Sequence, residues 1–64
     1  MGENSWTTVQ IVVRNSKLKK FQNCINSFDA KVRKCSNRGD FTIFRIAILS
    51  KNKKNLLDSQ INYL

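Results

Sequence analysis

Two stretches of the chain repeat one pattern of residues able to do chemistry. "NSKLKKF" at 15–21 and "LSKNKKN" at 49–55 both contain Ser-Lys-x-Lys-Lys, and each follows an apolar run. Ammonium groups that converge with free backbone N–H groups at a helix N-terminus make an anion site. A plainer reading is also open, in which Ser caps a helix and the lysines only solubilise it. Lysines in a first helical turn oppose the macrodipole by about 0.3–1 kcal/mol each when exposed, so acidic residues would serve stability better there. Lys17, Lys19 and Lys20 are expected at the start of one helix, and Lys51, Lys53 and Lys54 near the start of a second. All six are candidate contacts for phosphate or for an acidic protein surface.

The charge of the whole chain points the same way. Twelve Lys and Arg stand against four Asp and Glu, with no His, for a net charge of +8 on 64 residues. Such a field favours polyanions: nucleic acid, anionic membrane or acidic protein. Richness in Lys, Asn and Ile leaves a compositional origin open beside the functional one. Arg14, Arg33, Lys34, Arg38 and Arg45 complete the candidate binding set.

Catalysis is not expected. There is no His, no Walker loop and no nucleophile elbow, and Glu3, Asp29, Asp40 and Asp58 are scattered along the chain. No pair is spaced for acid–base work or for holding a metal, so no cofactor is expected either. Cys24 and Cys35 have neither CxxC spacing nor a His partner, and read as free thiols in a reducing compartment. No apolar leader is visible, and "MGENSW" carries Trp6 where a myristoylation signal needs Ser or Thr. No run approaches 18 apolar residues, so no membrane span is expected and the reading is of a soluble intracellular protein.

These groups need elements to position them. The reading is one small α+β domain over 6–64, preceded by a flexible tail over 1–5. A chain this short buries only about 60% of its unfolded surface, which makes an obligate complex an open possibility. "WTTVQIVV" (6–13) alternates at Val9, Ile11 and Val13, the pattern of a strand with those residues inward. Ser16 is expected to cap a helix from Lys17 to Phe28, with Leu18, Phe21, Ile25 and Phe28 as its apolar stripe and Cys24 beside them. "AKVRKC" (30–35) reads as a weaker strand with Ala30 and Val32 inward, and "SNRGD" (36–40) as a hairpin connection. "FTIFRIAIL" (41–49) is the best strand, with Phe44, Ile46 and Ile48 inward because the other register would bury Arg45. Ser50 or Asn52 is expected to cap a last helix whose stripe is Leu56, Leu57, Ile61 and Leu64.

The order β-α-β-β-α is that of the split βαβ, ferredoxin-like plan without its last strand, with a three-stranded antiparallel sheet. Within that class the chain resembles an RNA-recognition motif. "IVVRNS" (11–16) is similar to the short strand ending in Asn, "RGDFTIFRIAILS" (38–50) to the basic-Gly-aromatic strand, and "KLKKFQNCINSFDAKVRK" (17–34) to the first helix and second strand. The resemblance implies RNA binding on the open sheet face, where the family stacks bases on aromatic side chains. At the matching outward positions this chain has Val12, Ile43 and Arg45, so both stacking platforms are missing. Trp6 and Phe41 also face outward by alternation, and with Val12 and Ile43 they form a candidate contact face for bases or for a protein. Without a fourth strand the first strand is an exposed edge, open to a partner's strand or to a second copy.

In this plan the two helices start at opposite ends of the sheet, so the lysine clusters cannot form one pocket. One pole is expected to gather Arg14, Lys17, Lys19 and Lys20 near a hairpin bearing Arg33, Lys34 and Arg38. The other gathers Lys31, Lys51, Lys53 and Lys54. Two cationic poles suit an extended polyanion, and the leading expectation is a module that grips nucleic-acid backbone with little sequence readout. The alternative is an interaction subunit, or a small inhibitor of an acidic partner, working through the sheet face and its edge.

Overall fold

The computed structural model describes residues 5–64. The readings of the N-terminal tail over residues 1–4 lie outside them. A small α+β fold is observed, with the strands β1 (Trp6–Arg14), β2 (Lys31–Arg38) and β3 (Phe41–Leu49) and the helices α1 (Leu18–Asn26) and α2 (Ser50–Asp58). Short 3-10 turns, Asn15–Lys17 and Ser59–Tyr63, precede α1 and follow α2. The sheet is antiparallel throughout, in the order β1-β3-β2.

Alternation in the strands sets the two faces. Val9, Ile11 and Val13 of β1 pair with Ile46, Phe44 and Thr42 of β3, and all six are buried beneath the helices. The register that keeps Arg45 in water is therefore the one adopted. Phe21 and Ile25 of α1 and Leu56 of α2 close the core from above. Phe21 lies at its centre, its ring centroid 4.9 Å from Phe44 and 5.1 Å from Tyr63, the latter edge-on. Edge-on and tilted aromatic pairs of this kind add to what their buried area contributes. Leu18, Cys24, Phe28 and Ala30 pack at the margin. Burial raises the Tyr63 hydroxyl above the usual tyrosine pKa of 10.0, reinforced by Cys24 and opposed by a hydrogen bond with Ser59.

Several details differ from the sequence reading. Helix α1 begins at Leu18 and ends at Asn26, because the Ser27 hydroxyl donates to the Cys24 carbonyl (2.6 Å) and closes the last turn. Ser59 does the same to Leu56 at the end of α2. Neither expected N-cap forms. Ser16 lies within the 3-10 turn, Ser50 is already helical, and neither helix has a side-chain cap bond. The hairpin connection is shorter than 36–40. Strand β2 runs to Arg38, which pairs with Phe41, leaving Gly39 and Asp40 as a two-residue turn. Gly39 has φ +63°, which suits the first central residue of a type II′ turn. Val32 takes the inward side opposite Ile46 yet stays 48% exposed, because it lines an unfilled hollow with Phe21, Gln22, Ile25 and Asn26 of α1.

The largest departure is at the C-terminus. Leu57, Ile61 and Leu64 are exposed, while Leu56 and Tyr63 are buried and Gln60 is half-buried between them. Both sets have the spacing four then three, so periodicity could not choose between them. The choice falls to a polar contact. The Gln60 side-chain amide accepts a hydrogen bond from the Val12 N–H (2.8 Å) and donates one to the Val12 carbonyl. Gln60 thus takes, for one residue, the place of a neighbouring strand on β1.

Candidate nucleic-acid interface

The face of the sheet away from the helices is open. Strand pairing places Trp6, Thr8, Gln10, Val12 and Arg14 on it from β1, and Phe41, Ile43, Arg45, Ala47 and Leu49 from β3. From β2 it receives Lys31, Lys34, Ser36 and Arg38. Nine-residue strands at about 3.3 Å per residue make this face roughly 30 Å long.

A bulge decides how much charge the face holds. The register between β2 and β3 shifts between Val32 and Lys34, so Arg33 is an extra residue opposite β3. Strict alternation would send Arg33 and Lys34 to opposite sides. A bulge re-aims the side chain instead, and Arg33 lines a hollow of about 180 Å³ on the open face with Trp6, Lys31 and Ala47. Lys34 lines the adjoining hollow of about 230 Å³ with Gln10, Ser36, Arg38, Ile43 and Arg45. The open face therefore gathers Arg14, Lys31, Arg33, Lys34, Arg38 and Arg45, all exposed. Among the described residues the side-chain carboxylates are Asp29, Asp40 and Asp58, in two turns and in α2; none lies on a strand, and Asp29 borders the Trp6 end of the face, where it lines a hollow of about 400 Å³ with Trp6, Lys31 and Leu49.

Arg14 closes one end. Its guanidinium carbon lies 4.8 Å from the centroid of the Phe41 ring, within cation–π range, and its Nε donates to the Leu64 carbonyl (2.6 Å). Beside it Asn15 ties β1 to the β2–β3 turn. Its backbone N–H donates to the Asp40 carbonyl (2.8 Å), its Nδ2 to the Gly39 carbonyl (2.9 Å), and its Oδ1 accepts from Thr42 (2.8 Å). Trp6, 53% exposed, stands at the other end of the face.

The sequence-derived residues are thus split. Arg14, Arg38 and Arg45 share the open face with Trp6, Val12, Phe41 and Ile43. Arg33 and Lys34 join them along the middle of β2, not at the hairpin where they were expected. Lys31, expected at the pole of the second lysine cluster, lies on this face opposite Ala47, and the polar Gln10 and Ser36 are additional members found only through strand pairing. Lys17, Lys19 and Lys20 lie around the start of α1, Lys17 half-buried and the other two exposed; Lys51, Lys53 and Lys54 are exposed on α2. The helix starts lie at opposite ends of the sheet, since Asn15 adjoins the β2–β3 turn whereas the Ser50 N–H donates to the Ser5 carbonyl (2.8 Å) beside Trp6. Neither lysine cluster has a side-chain cap, and the two do not meet.

Among the described residues no group of three or more His, Cys, Asp or Glu is placed to hold a metal ion. Cys24 and Cys35 are both free thiols. No helix among the described residues is long and apolar enough to cross a membrane. Compared with protein-family models, curated proteins and solved structures, the chain matches none, and its chemistry is read from the geometry alone.

Proposed function

We propose that the chain is a small, non-enzymatic nucleic-acid-binding module that grips backbone phosphates on its open sheet face with little sequence readout. The observation that carries the reading is the set of six exposed cations on that face, with no Asp or Glu on any of its three strands. Phosphate contacts made by Lys and Arg supply affinity without reading sequence. The exposed Trp6 indole gives one base a stacking surface, and such stacking tolerates any base. That combination suits a single strand laid along the sheet. RNA is favoured because the element order β-α-β-β-α is that of the split βαβ plan of RNA-recognition motifs, while the three-stranded order β1-β3-β2 departs from that plan's canonical sheet. The four-stranded arrangement of that plan has a further strand beside β1, where this chain places Gln60.

The test is binding of labelled single-stranded RNA, single-stranded DNA and duplex across a salt series by fluorescence anisotropy. Six engaged cations predict a slope of log affinity against log salt near about −4 for a single strand. That is a loss of about two orders of magnitude between 50 and 200 mM salt. Lys34→Gln with Arg45→Gln should flatten the slope, and Lys53→Gln with Lys54→Gln should leave it nearly unchanged. A flat slope in the parent protein, no binding at low salt, or the reverse ranking of the two variants would overturn the assignment.

A second reading is a protein-interaction subunit that meets an acidic partner through the same face or takes a strand along β1. The specific observation in favour of its strand-taking form is the uncharged β1 edge.

A further inference from the structure

The two edges of the sheet are built differently. Strand β2 has a bulge and the cations Lys31, Arg33, Lys34 and Arg38, the devices that keep an edge from accepting another strand. Strand β1 has none of these from Trp6 to Val13: no charge, no proline, no glycine and no break in register. Its one cation, Arg14, is the last residue.

The Gln60 contact reveals which backbone groups face outward. The N–H and C=O of Val12 are both bonded to Gln60, so they point away from β3. Backbone direction alternates along an antiparallel strand. Trp6, Thr8 and Gln10 therefore turn their N–H and C=O groups to the same open edge, while Ser5 and Asn15 face β3, as their bonds to Ser50 and Asp40 show. Among the described residues no hydrogen bond occupies the outward groups of Trp6, Thr8 and Gln10.

We propose that this edge pairs with the same edge of a second copy of the chain, antiparallel, about a two-fold axis through Thr8. Three outward residues are available, and the set is symmetric about its middle member. Thr8 then faces the partner's Thr8, and Trp6 faces the partner's Gln10, giving about six backbone hydrogen bonds. A slip of two residues in either direction loses a pair, and Gln60 blocks extension to Val12. On the open face the Thr–Thr pair and the cover given to Trp6 are favourable cross-strand contacts.

Charge disfavours an acidic occupant at this neutral edge, and the symmetry of the outward set about Thr8 suits a second copy. Two chains of net charge +8 repel, and they can approach closely only where the surface is neutral. The β1 strand is uncharged from Trp6 to Val13, and the exposed Lys51, Lys53 and Lys54 of α2, which packs on β1, are the nearest source of residual repulsion. In the proposed register the two Arg14 residues lie about 40 Å apart along the strands, far beyond the ~8 Å screening length at physiological salt. An acidic partner would be drawn to the cations of β2 and β3 instead. The axis stands perpendicular to the sheet, so both open faces lie on the same side of one six-stranded sheet. The proposal holds whether or not that face binds nucleic acid.

Sedimentation equilibrium of the full chain tests it, between about 1 and 200 μM protomer. The expected result is twice the 7.4 kDa monomer mass at the higher concentrations. Association should tighten from about 0.15 to 0.5 M salt, because the residual repulsion is between like charges. Thr8→Pro removes an N–H that faces only the edge, a position where proline is tolerated, and should give a monomer with an unchanged circular dichroism spectrum. Thr8→Lys places a charge on the axis and should do the same, which decides the matter should the proline variant fail to fold. A parent protein that stays monomeric throughout, or a folded Thr8→Lys variant that still dimerises, would overturn the proposal.

Discussion

Gln60 is the residue whose removal tests most of the architecture at once. Its amide replaces a strand for Val12, whose N–H and C=O are otherwise left without protein partners in a half-buried place. Each such bond contributes about 0.5–1.5 kcal/mol net, so Gln60→Ala should cost about 2 kcal/mol. In a domain of this length that is a large share of a total of about 3–5 kcal/mol. The thermal midpoint should fall by about 8–16 °C, and the urea midpoint by about 1–2 M. Urea unfolding followed by far-UV circular dichroism, at one protomer concentration, measures it.

Gln60→Glu separates hydrogen bonding from packing. At neutral pH its carboxylate can accept from the Val12 N–H but has no proton for the Val12 carbonyl. The protonated acid can do both, so in the folded variant its pKa is raised above the usual glutamate value of about 4.3. The associated stability is present below the unfolded pKa and lost as pH rises through the folded one. This variant should therefore approach the parent near pH 4 and resemble Gln60→Ala at pH 7. Were Gln60→Ala to unfold within about 0.5 kcal/mol of the parent, with Gln60→Glu indifferent to pH, the strand-mimic argument would fail.

Two further outcomes follow from the core. Phe21→Ala removes the ring between Phe44 and Tyr63 and should cost about 3–5 kcal/mol, as much as the domain has. Its amide NMR spectrum should collapse to unfolded dispersion, and a dispersed spectrum with a cooperative melt would contradict the packing described. The raised pKa of Tyr63 means that the unfolded chain releases its proton near pH 10 while the folded chain holds it. Stability from this group should be constant below that pH and fall as pH rises through the folded pKa, measured as the urea midpoint from pH 7 to 11. Tyr63→Phe should lose that part of the slope, and identical slopes in both proteins would refute it.

Much of the fold was legible because alternation in a strand has only two phases. Val9, Ile11 and Val13, and Phe44, Ile46 and Ile48, follow directly from period two and the exposure of Arg45. In α1 the spacing of Leu18, Phe21 and Ile25 was equally readable, since no second stripe competes with it, and Phe28 falls in the turn just beyond. The last helix was different. Leu57, Ile61 and Leu64 offer more apolar surface than Gln60 and Tyr63, so a reading by hydropathy groups them with Leu56, which is buried as expected, and misses the other two. What reverses it is a pair of hydrogen bonds to Val12, 48 residues away, invisible to any local pattern.

The candidate site divides in the same manner. Sequence alone determined that the chain is basic and rich in Lys and Arg, that it lacks histidine and paired carboxylates, and that its best strand keeps Arg45 outside the core. It also drew attention to the two lysine clusters, because like residues close in sequence are conspicuous. Tertiary structure set those clusters at separate helix starts without caps, and gathered other cations from three strands onto one face. The physical reason lies in strand pairing and one inserted residue. A bulge at Arg33 turns neighbours in sequence toward one side, and antiparallel register then brings Lys34, Arg45 and Gln10 into one row across the sheet.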